Sequence, residues 1–138
     1  MNNAFDKNNF IVKKILEQNN LECPIFTFPE GTKTALDAAN AIGCEVAQIA
    51  KSIIFKKLET NEIVLLIVSG KNKVCEKKVS TFLGKQIVKA EPELIKNTTG
   101  FVIGGVPPIG HKQKIENILF DEDLLHFENV WTSAGTAQ

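Results

Sequence analysis

The chain has 138 residues, of which 43% are hydrophobic, and its 16 basic residues, all lysine, balance 16 acidic ones to a formal net charge of zero. These values exclude a disordered chain and are typical of one globular domain, so we expect residues 1–138 to form a single domain. No apolar run approaches the ~20 residues of a membrane helix. The N-terminus lacks the pattern of a signal peptide, so we expect a cytoplasmic protein.

The first third of the chain contains two helical patterns separated by an extended segment. Residues 8–19 carry apolar side chains at helical spacing, and Pro24–Phe28 indicates a strand or extended segment. A second helix is predicted over Ala35–Ile42, with Thr34 as its N-cap. Gly43 follows the helix as its C-terminal stop, because glycine readily adopts the left-handed conformation found there.

The remaining patterns mix short helices with strands. Residues 45–51 favour a short helix that ends at Lys51, and Ile53–Phe55 begins a strand. Ile63–Val68 is a strongly apolar strand, and Glu76–Leu83 is a helix. We also expect a short helix at Pro92–Asn97 and short strands at Ile118–Phe120 and Asn129–Thr132. The pattern predicts an α+β fold with a mixed, partly barrel-like sheet and short flanking helices, because the regular βαβα alternation of doubly wound folds is missing.

Lysines are concentrated in the middle of the chain. Six of them are accompanied locally by one acid, Glu76, and they are Lys71, Lys73, Lys77, Lys78, Lys85 and Lys89. Such a stretch either contacts RNA phosphates or forms a solvated surface, and both interpretations stay open. Because the chain has no arginine, phosphate contacts would come from lysines or backbone amides, which favours recognition of shape over base edges.

Lys51 is the first candidate for chemistry. Its neighbours from Val46 to Phe55 are mostly apolar or small, so an ammonium group there lies between a helix face and a core strand. One interpretation is a snorkelling side chain whose stem covers apolar surface while its head stays in water. The functional interpretation is a cation on the floor of a cleft, where it can anchor a carbonyl or a phosphate.

The glycine-proline loop is the second candidate. It consists of Gly104, Gly105, Val106, Pro107, Pro108, Ile109, Gly110 and His111. Glycines let the backbone approach a ligand closely, and prolines stiffen the segment, so its few free N–H groups can stabilise an oxyanion. A tight connection between strands is the alternative. His111 can orient a substrate or shuttle a proton, or serve a structural role.

Other reactive side chains give weaker signals. Ser69 and Gly70 end the apolar strand at a place where ligands are often contacted, but no Gly-x-Ser-x-Gly elbow surrounds the serine. Cys23, Cys44 and Cys75 form neither a disulfide framework nor a CxxC metal site, and a thiol hydrolase using Cys44 or Cys75 stays an alternative. The two histidines lack carboxylates at ligand spacing, so no metal site is expected. Nucleotide-binding glycine motifs are missing, so no cofactor is expected.

Four stretches of the chain, in order, resemble the YbaK/prolyl-tRNA synthetase-associated editing-domain family. They are Thr34 to Phe55, Val68 to Gly70, Gly100 to His111, and Trp131 to Gly135. The resemblance extends from about residue 10 to residue 136. It implies a compact α/β domain around a mixed, partly barrel-like sheet. It also implies hydrolysis of the ester that joins a wrong amino acid to the terminal adenosine of tRNA.

The resemblance also implies the roles of individual residues. Lys51 falls on the family's essential lysine, and Gly104 and Gly105 join it as catalytic positions. The implied substrate-binding positions are Ser69, Gly70, Val106, Pro107, Pro108, Ile109, Gly110 and His111. The expected activity is that of a freestanding deacylase that acts by substrate positioning, without a metal, a cofactor or a covalent intermediate.

The expected substrate is a small amino acid on tRNA(Pro) or a related tRNA, held at the acceptor end. An aminoacyl-tRNA synthetase is a second candidate partner, and neither a membrane nor DNA is expected to bind. The alternative is a non-catalytic module of the same fold that binds tRNA or a synthetase.

Overall fold

The computed structural model describes residues 7–138, which form four α-helices and a five-stranded sheet. The helices are α1 (Lys7–Gln18), α2 (Ala35–Ile42), α3 (Glu76–Leu83) and α4 (Pro92–Thr99). The strands are β1 (Ile49–Lys57), β2 (Ile63–Ser69), β3 (Ile87–Lys89), β4 (Asn117–Phe120) and β5 (Trp131–Thr132). The predicted α+β class is confirmed. The segment inspected for a signal peptide, residues 1–6, lies outside the described residues.

The sheet is built around the antiparallel pair of β1 and β2. Its strand order is β3-β1-β2-β4, and β5 adds to β1 on the same side as β3. The β1–β2 register runs from Ala50 opposite Ser69 to Lys56 opposite Ile63. β4 lies parallel to β2, and β5 lies parallel to the start of β1. None of the described helices is both long enough and apolar enough to cross a membrane.

Strand β2 is buried along its whole length because neighbouring strands and both faces of the sheet cover it. On one face, Leu65 and Ile67 join a core to which α1, α4 and the segment around Phe101 contribute. On the other face, Val64 and Leu66 pack with side chains of α3. A strand covered on both faces needs apolar side chains at every position, which explains its continuous apolar run.

The local signals of α2 and α3 predict their bounds correctly. The Asp37 backbone N–H donates to the Thr34 hydroxyl at 3.0 Å, which confirms Thr34 as the N-cap of α2. Gly43 ends that helix with φ +85°, and Gly84 ends α3 with φ +69°. These boundaries are predictable because caps satisfy helix-end backbone groups through residues close in sequence.

Three predicted elements differ in the structure. The helix expected at residues 45–51 is wrong, because a single 3-10 turn at Val46–Gln48 leads directly into β1. Residues of good helix propensity are drawn into the sheet there by pairing with β2 and β5, so Lys51 lies on a strand and does not end a helix. Pro24–Phe28 forms no strand and borders a cavity. The strand expected at Asn129–Thr132 is only Trp131–Thr132.

Candidate functional site

A cavity of about 350 Å³ opens at the edge of β1, where the sheet is interrupted. On this side of β1, β5 pairs with Ile49–Ala50 and β3 pairs with Phe55–Lys57. Within the described part of the chain, residues 51–54 have no strand beside them on that edge. Lys51, Ser52 and Ile53 all line the cavity. The gap between β5 and β3 is therefore the floor of the candidate site.

The hydrogen bonding of the β1–β2 pair shows which backbone groups face this gap. At the two ends of the pair, the Gly70 N–H donates to the Ile49 carbonyl at 2.7 Å and the Lys57 N–H donates to the Glu62 carbonyl at 2.8 Å. Because hydrogen-bonded pairs alternate along an antiparallel ladder, the odd-numbered residues of β1 bond to β2. The N–H and C=O of Ser52 therefore point towards the open edge.

The Ser52 side chain lies on the face of the sheet opposite to the Lys51 side chain, because successive side chains of a strand alternate. Its hydroxyl oxygen is buried and has no hydrogen-bond partner among the described residues. Buried hydroxyl groups are nearly always paired, so this oxygen sets Ser52 apart from an ordinary core serine. Nothing in the sequence around Ser52 distinguishes it from a core serine, and it was not among the predicted site residues.

The walls of the cavity are apolar and closely packed. Phe26 and Trp131 form one wall, with ring centroids 5.8 Å apart and an angle of 48° between the ring planes. Ala35 and Ala38 of α2 form another wall, and their small side chains leave room for the cavity. Lys33 lies at the boundary as a second cation that sequence reasoning missed.

Lys51 lies on β1 opposite Val68, with its side chain half-buried. Its ammonium group donates to the Gly70 carbonyl at 3.5 Å, the one hydrogen bond that it makes within the described residues. Burial lowers the pKa of Lys51 below its usual 10.5, the nearby Lys73 lowers it further, and the nearby Asp121 opposes both effects. An ammonium group with three protons and one weak protein partner can donate the other two to a ligand.

Ser69 and Gly70 do not line the cavity. Ser69 is 0% exposed, and its hydroxyl donates to the Ala47 carbonyl at 2.8 Å. A Cβ atom at Gly70 would clash with the carbonyl oxygen of Val46, so glycine is required for the close passage of β2 past this turn. In this structure both residues contribute by holding the strand end whose carbonyl Lys51 contacts, and their direct contact with substrate stays a prediction.

The glycine-proline loop reaches the cavity through its first residues. Gly104 and Val106 line it, whereas Gly105 is packed against the backbone of Thr136. The ring N–H of His111 donates to the Pro107 carbonyl at 2.8 Å, within the loop itself. The loop residues that do not line the cavity are Gly105, Pro107, Pro108, Ile109, Gly110 and His111. The structure thus brings Lys51, Gly104 and Val106 together, and the roles assigned to all these residues stay predictions.

A polar cluster lies behind the Ser69–Gly70 strand end. The Asn72 amide donates to the carboxylates of Asp121 and Asp123, at 2.8 Å in each case. Burial raises the pKa of Asp121, but hydrogen bonds from Asn72, Asp123 and Ser69, together with the Lys71 charge, more than offset it, so the pKa lies below 3.8. Sequence reasoning missed Asp121, because nothing local links it to the distant Lys51.

The C-terminal segment closes one side of the cavity. The N–H groups of Phe28 and Thr32 donate to the carbonyls of Gln138 and Ala137, at 2.9 and 2.7 Å. The buried Asn9 lines the cavity. Within residues 7–138, no three His, Cys, Asp or Glu side chains come together as a metal site.

Comparison with known proteins shows which family the chain resembles. The model of the aminoacyl-tRNA editing domain family matches residues 29–138. The chain is 30% identical over 125 residues to the uncharacterized protein YwhH of Bacillus subtilis strain 168, covering 91% of this chain and 78% of YwhH. It is 35% identical over 109 residues to the proline–tRNA ligase of Limosilactobacillus fermentum, covering 76% of this chain but only 19% of the ligase.

A solved structure extends the similarity to the fold. It is provisionally assigned as a trans-editing enzyme for prolyl tRNA synthetase, and it superposes with a TM-score of 0.84 at 36% sequence identity. The superposition covers 98% of this chain and 85% of the other. The chain therefore belongs to the aminoacyl-tRNA editing domain family, the YbaK-like family that its sequence motifs indicate.

Proposed function

We propose that this chain is a freestanding deacylase that hydrolyses the ester bond of mischarged aminoacyl-tRNA. The observation that carries the proposal is the open edge of β1, where Lys51 and Ser52 line one cavity and the main-chain N–H and C=O of Ser52 face the gap between β5 and β3. Family membership supports an editing role, and the cavity supplies a place for the aminoacyl end of the tRNA.

The proposed mechanism is substrate positioning. Lys51 holds the terminal phosphate or the aminoacyl group, and the backbone N–H groups of Gly104 and Ser52, two residues that line the cavity, polarise the ester carbonyl. A water molecule attacks the carbonyl carbon, the bond to the ribose oxygen breaks, and the free amino acid and tRNA leave. An ester needs less activation than an amide, so alignment of water and carbonyl supplies much of the rate.

A thiol nucleophile has little support in this site. Cys44 does not line the cavity, and burial together with the adjacent Glu45 raises the pKa of its thiol. A raised pKa disfavours the thiolate, which is the nucleophilic form. Cys75 is exposed and also lies outside the cavity lining. We therefore assign hydrolysis to a bound water molecule, without a covalent intermediate.

We propose a small amino acid as the group removed, carried by tRNA(Pro) or a related tRNA. The apolar wall of Ala35, Ala38, Phe26 and Trp131 suits a short side chain and offers no charged partner to a long one. The similarity to proline–tRNA ligases favours tRNA(Pro). An apolar wall discriminates only modestly between amino acids that differ by one methylene. We therefore expect the protein to accept several small amino acids.

Lysines near the cavity favour an RNA partner. Lys73 lies close enough to Lys51 to lower its pKa, and Lys71 lies close enough to Asp121 to affect that carboxylate. Lys73 therefore lies near a residue that lines the cavity, where phosphates of the acceptor end would approach, and Lys71 lies near Asp121 behind it. We accordingly propose that the acceptor end enters here and that the protein works in the cytoplasm, where tRNAs are charged.

The test is a deacylation panel with Ala-tRNA(Pro), Cys-tRNA(Pro), Ser-tRNA and Thr-tRNA. We expect the wild-type protein to hydrolyse at least one of them. We expect Lys51→Ala to lower kcat/KM roughly 10- to 100-fold, as for the loss of about 1.5–3 kcal/mol of hydrogen bonding to a charged group. Lys57→Ala is the matched control, because Lys57 lies on the same strand and contacts Glu62 outside the cavity.

Two results would contradict the proposal. Full activity of Lys51→Ala would remove Lys51 from the mechanism. Binding of tRNA by the wild-type protein without hydrolysis of any substrate in the panel would favour the non-catalytic module instead.

A further inference from the structure

Asp121 connects two strands behind the cavity. Its backbone N–H donates to the Ile67 carbonyl at 2.8 Å, continuing the pairing of β4 with β2. Its carboxylate accepts the backbone N–H of Ser69 at 3.0 Å, and it also accepts hydrogen bonds from Asn72 and Asp123. One residue therefore fixes the end of β2 through both its main chain and its side chain.

This strand end leads directly to Lys51. Ser69 receives the support of Asp121, and the next residue, Gly70, supplies the carbonyl that accepts the Lys51 ammonium. The Gly70 N–H donates to the Ile49 carbonyl, and a Cβ atom on Gly70 would lie 2.4 Å from the Val46 carbonyl oxygen. Because one peptide group joins Ser69 to Gly70, a displacement of Ser69 would shift the Gly70 carbonyl and with it the ammonium group.

We propose that Asp121 is a positioning residue for deacylation, which places the Lys51 ammonium by holding the Ser69–Gly70 strand end and by facing it with a negative charge. This proposal rests on the proposed function in one respect, because it takes Lys51 to be part of the deacylation reaction. Asp121 itself lies outside the cavity lining, so it acts through Lys51 and does not touch the substrate.

The charges around the two residues support this arrangement. Lys73 and Asp121 are the charged groups that act on Lys51, with opposite effects on its pKa. Lys71 acts on Asp121, whose lowered pKa keeps its carboxylate ionised at neutral pH. Loss of the Asp121 charge would leave burial and Lys73 unopposed, so the pKa of Lys51 would fall further and its ammonium form would be lost at lower pH.

The decisive experiment is an NMR titration of the lysine side chains in the full-length protein without tRNA. The Lys51 resonance is assigned by its loss in Lys51→Arg. We expect Lys51 to titrate at lower pH in Asp121→Asn than in the wild-type protein. Asp123→Asn is the matched control, because Asp123 shares the Asn72 amide but leaves the contact between Asp121 and Ser69 in place.

Deacylation kinetics provide the second measurement. We expect Asp121→Asn to lower kcat/KM about tenfold, as for loss of a hydrogen bond to a charged group, with a larger loss at more alkaline pH. Asp123→Asn should stay within about twofold of wild type, as usual for a change outside a site. An unchanged Lys51 titration in Asp121→Asn, or an equal shift in Asp123→Asn, would overturn the proposal.

A third variant covers the case in which Asp121→Asn fails to fold. Asn72→Ala keeps the Asp121 charge but removes the amide that holds its carboxylate, so the carboxylate can move away from the strand end. Its attraction for the Lys51 ammonium then weakens, and we expect the pKa of Lys51 to fall by less than in Asp121→Asn. No change at Lys51 in this variant would then count against the proposal. The titration uses the protein alone, so failure of the proposed deacylation and failure of the Asp121 role give different results.

Discussion

Within the described residues, Ser52 has two unusual features, an unpaired buried hydroxyl and main-chain groups at an open sheet edge. Its hydroxyl oxygen is buried without a partner in the described structure, and its main-chain groups face the gap between β5 and β3. An unpaired buried hydroxyl costs a protein about 1–3 kcal/mol. A substrate could pair with this hydroxyl only if the Ser52 side chain turned towards the gap on binding, and the pair would then recover that cost.

Substitution of Ser52 should therefore separate stability from function. We expect Ser52→Ala to leave the free energy of unfolding unchanged or raise it by up to about 1 kcal/mol, because no hydrogen bond is lost. We expect the KM of the Ser52→Ala variant for its aminoacyl-tRNA substrate to rise about fivefold, as for loss of one neutral hydrogen bond. Urea unfolding and steady-state kinetics measure the two effects.

Ser133→Ala is the control for this prediction. The Ser133 hydroxyl also lies at the cavity but donates to the Gly104 carbonyl at 3.4 Å, so its loss should lower stability slightly. If Ser52→Ala lowered the free energy of unfolding more than Ser133→Ala, the Ser52 hydroxyl would have a hydrogen-bond partner in the folded protein. That result would contradict the prediction.

At the scale of elements, the glycine-proline loop and the C-terminal segment pack closely against each other. A Cβ atom at Gly105 would lie 2.8 Å from the α-carbon of Thr136, closer than side-chain carbons approach a backbone. Gly104 has a different requirement, because its φ of +91° favours glycine while a Cβ atom there would make only ordinary contacts with Ala137 and Lys33. The two adjacent glycines therefore serve close packing and backbone conformation, respectively.

Gly105→Ala tests this packing. We expect a loss of about 1–3 kcal/mol in the free energy of unfolding, the usual effect of overpacking a tight contact. Gly43→Ala is the control, since a Cβ there meets nothing within 4 Å and only the positive φ opposes it. That control should lose about 1 kcal/mol. Urea denaturation measures both, and equal losses would show that the contact with Thr136 relaxes easily.

At the scale of the whole molecule, α1 joins parts of the chain that are far apart in sequence. The Asn9 side chain, 2% exposed, donates to the Ala134 carbonyl at 2.8 Å, and Asn8 donates to the Gly135 carbonyl at 3.3 Å. The side chains of Ile11 and Ile15 in α1 also lie beside Gly110 of the glycine-proline loop. Helix α1 thus holds the C-terminal wall of the cavity and contacts the loop, although it precedes the region that the family model matches.

Asn9→Ala should loosen this connection. We expect a loss of about 1–3 kcal/mol in stability, because the partly buried Ala134 carbonyl loses its donor. Hydrogen exchange in residues 131–138 should accelerate more than exchange in β2. Asn8→Ala, which removes a longer hydrogen bond, should have a smaller effect on both measurements. Uniform acceleration across the protein would contradict a local role for α1.

The sequence alone determined the features that depend on neighbours along the chain. The cap at Thr34, the stops at Gly43 and Gly84, and the apolar run of β2 predicted their elements because caps and burial patterns are local. The ordered motifs predicted the family, and an apolar setting singled out Lys51.

Only the tertiary structure decided how the site is assembled. Strand pairing turned residues 49–51 from the predicted helix into β1, and the interruption between β5 and β3 exposed the groups of Ser52. Asp121 and Lys51 meet at the end of β2 because β4 and β1 flank that strand on opposite sides. Such contacts depend on the register between distant segments, which local propensity and spacing do not encode.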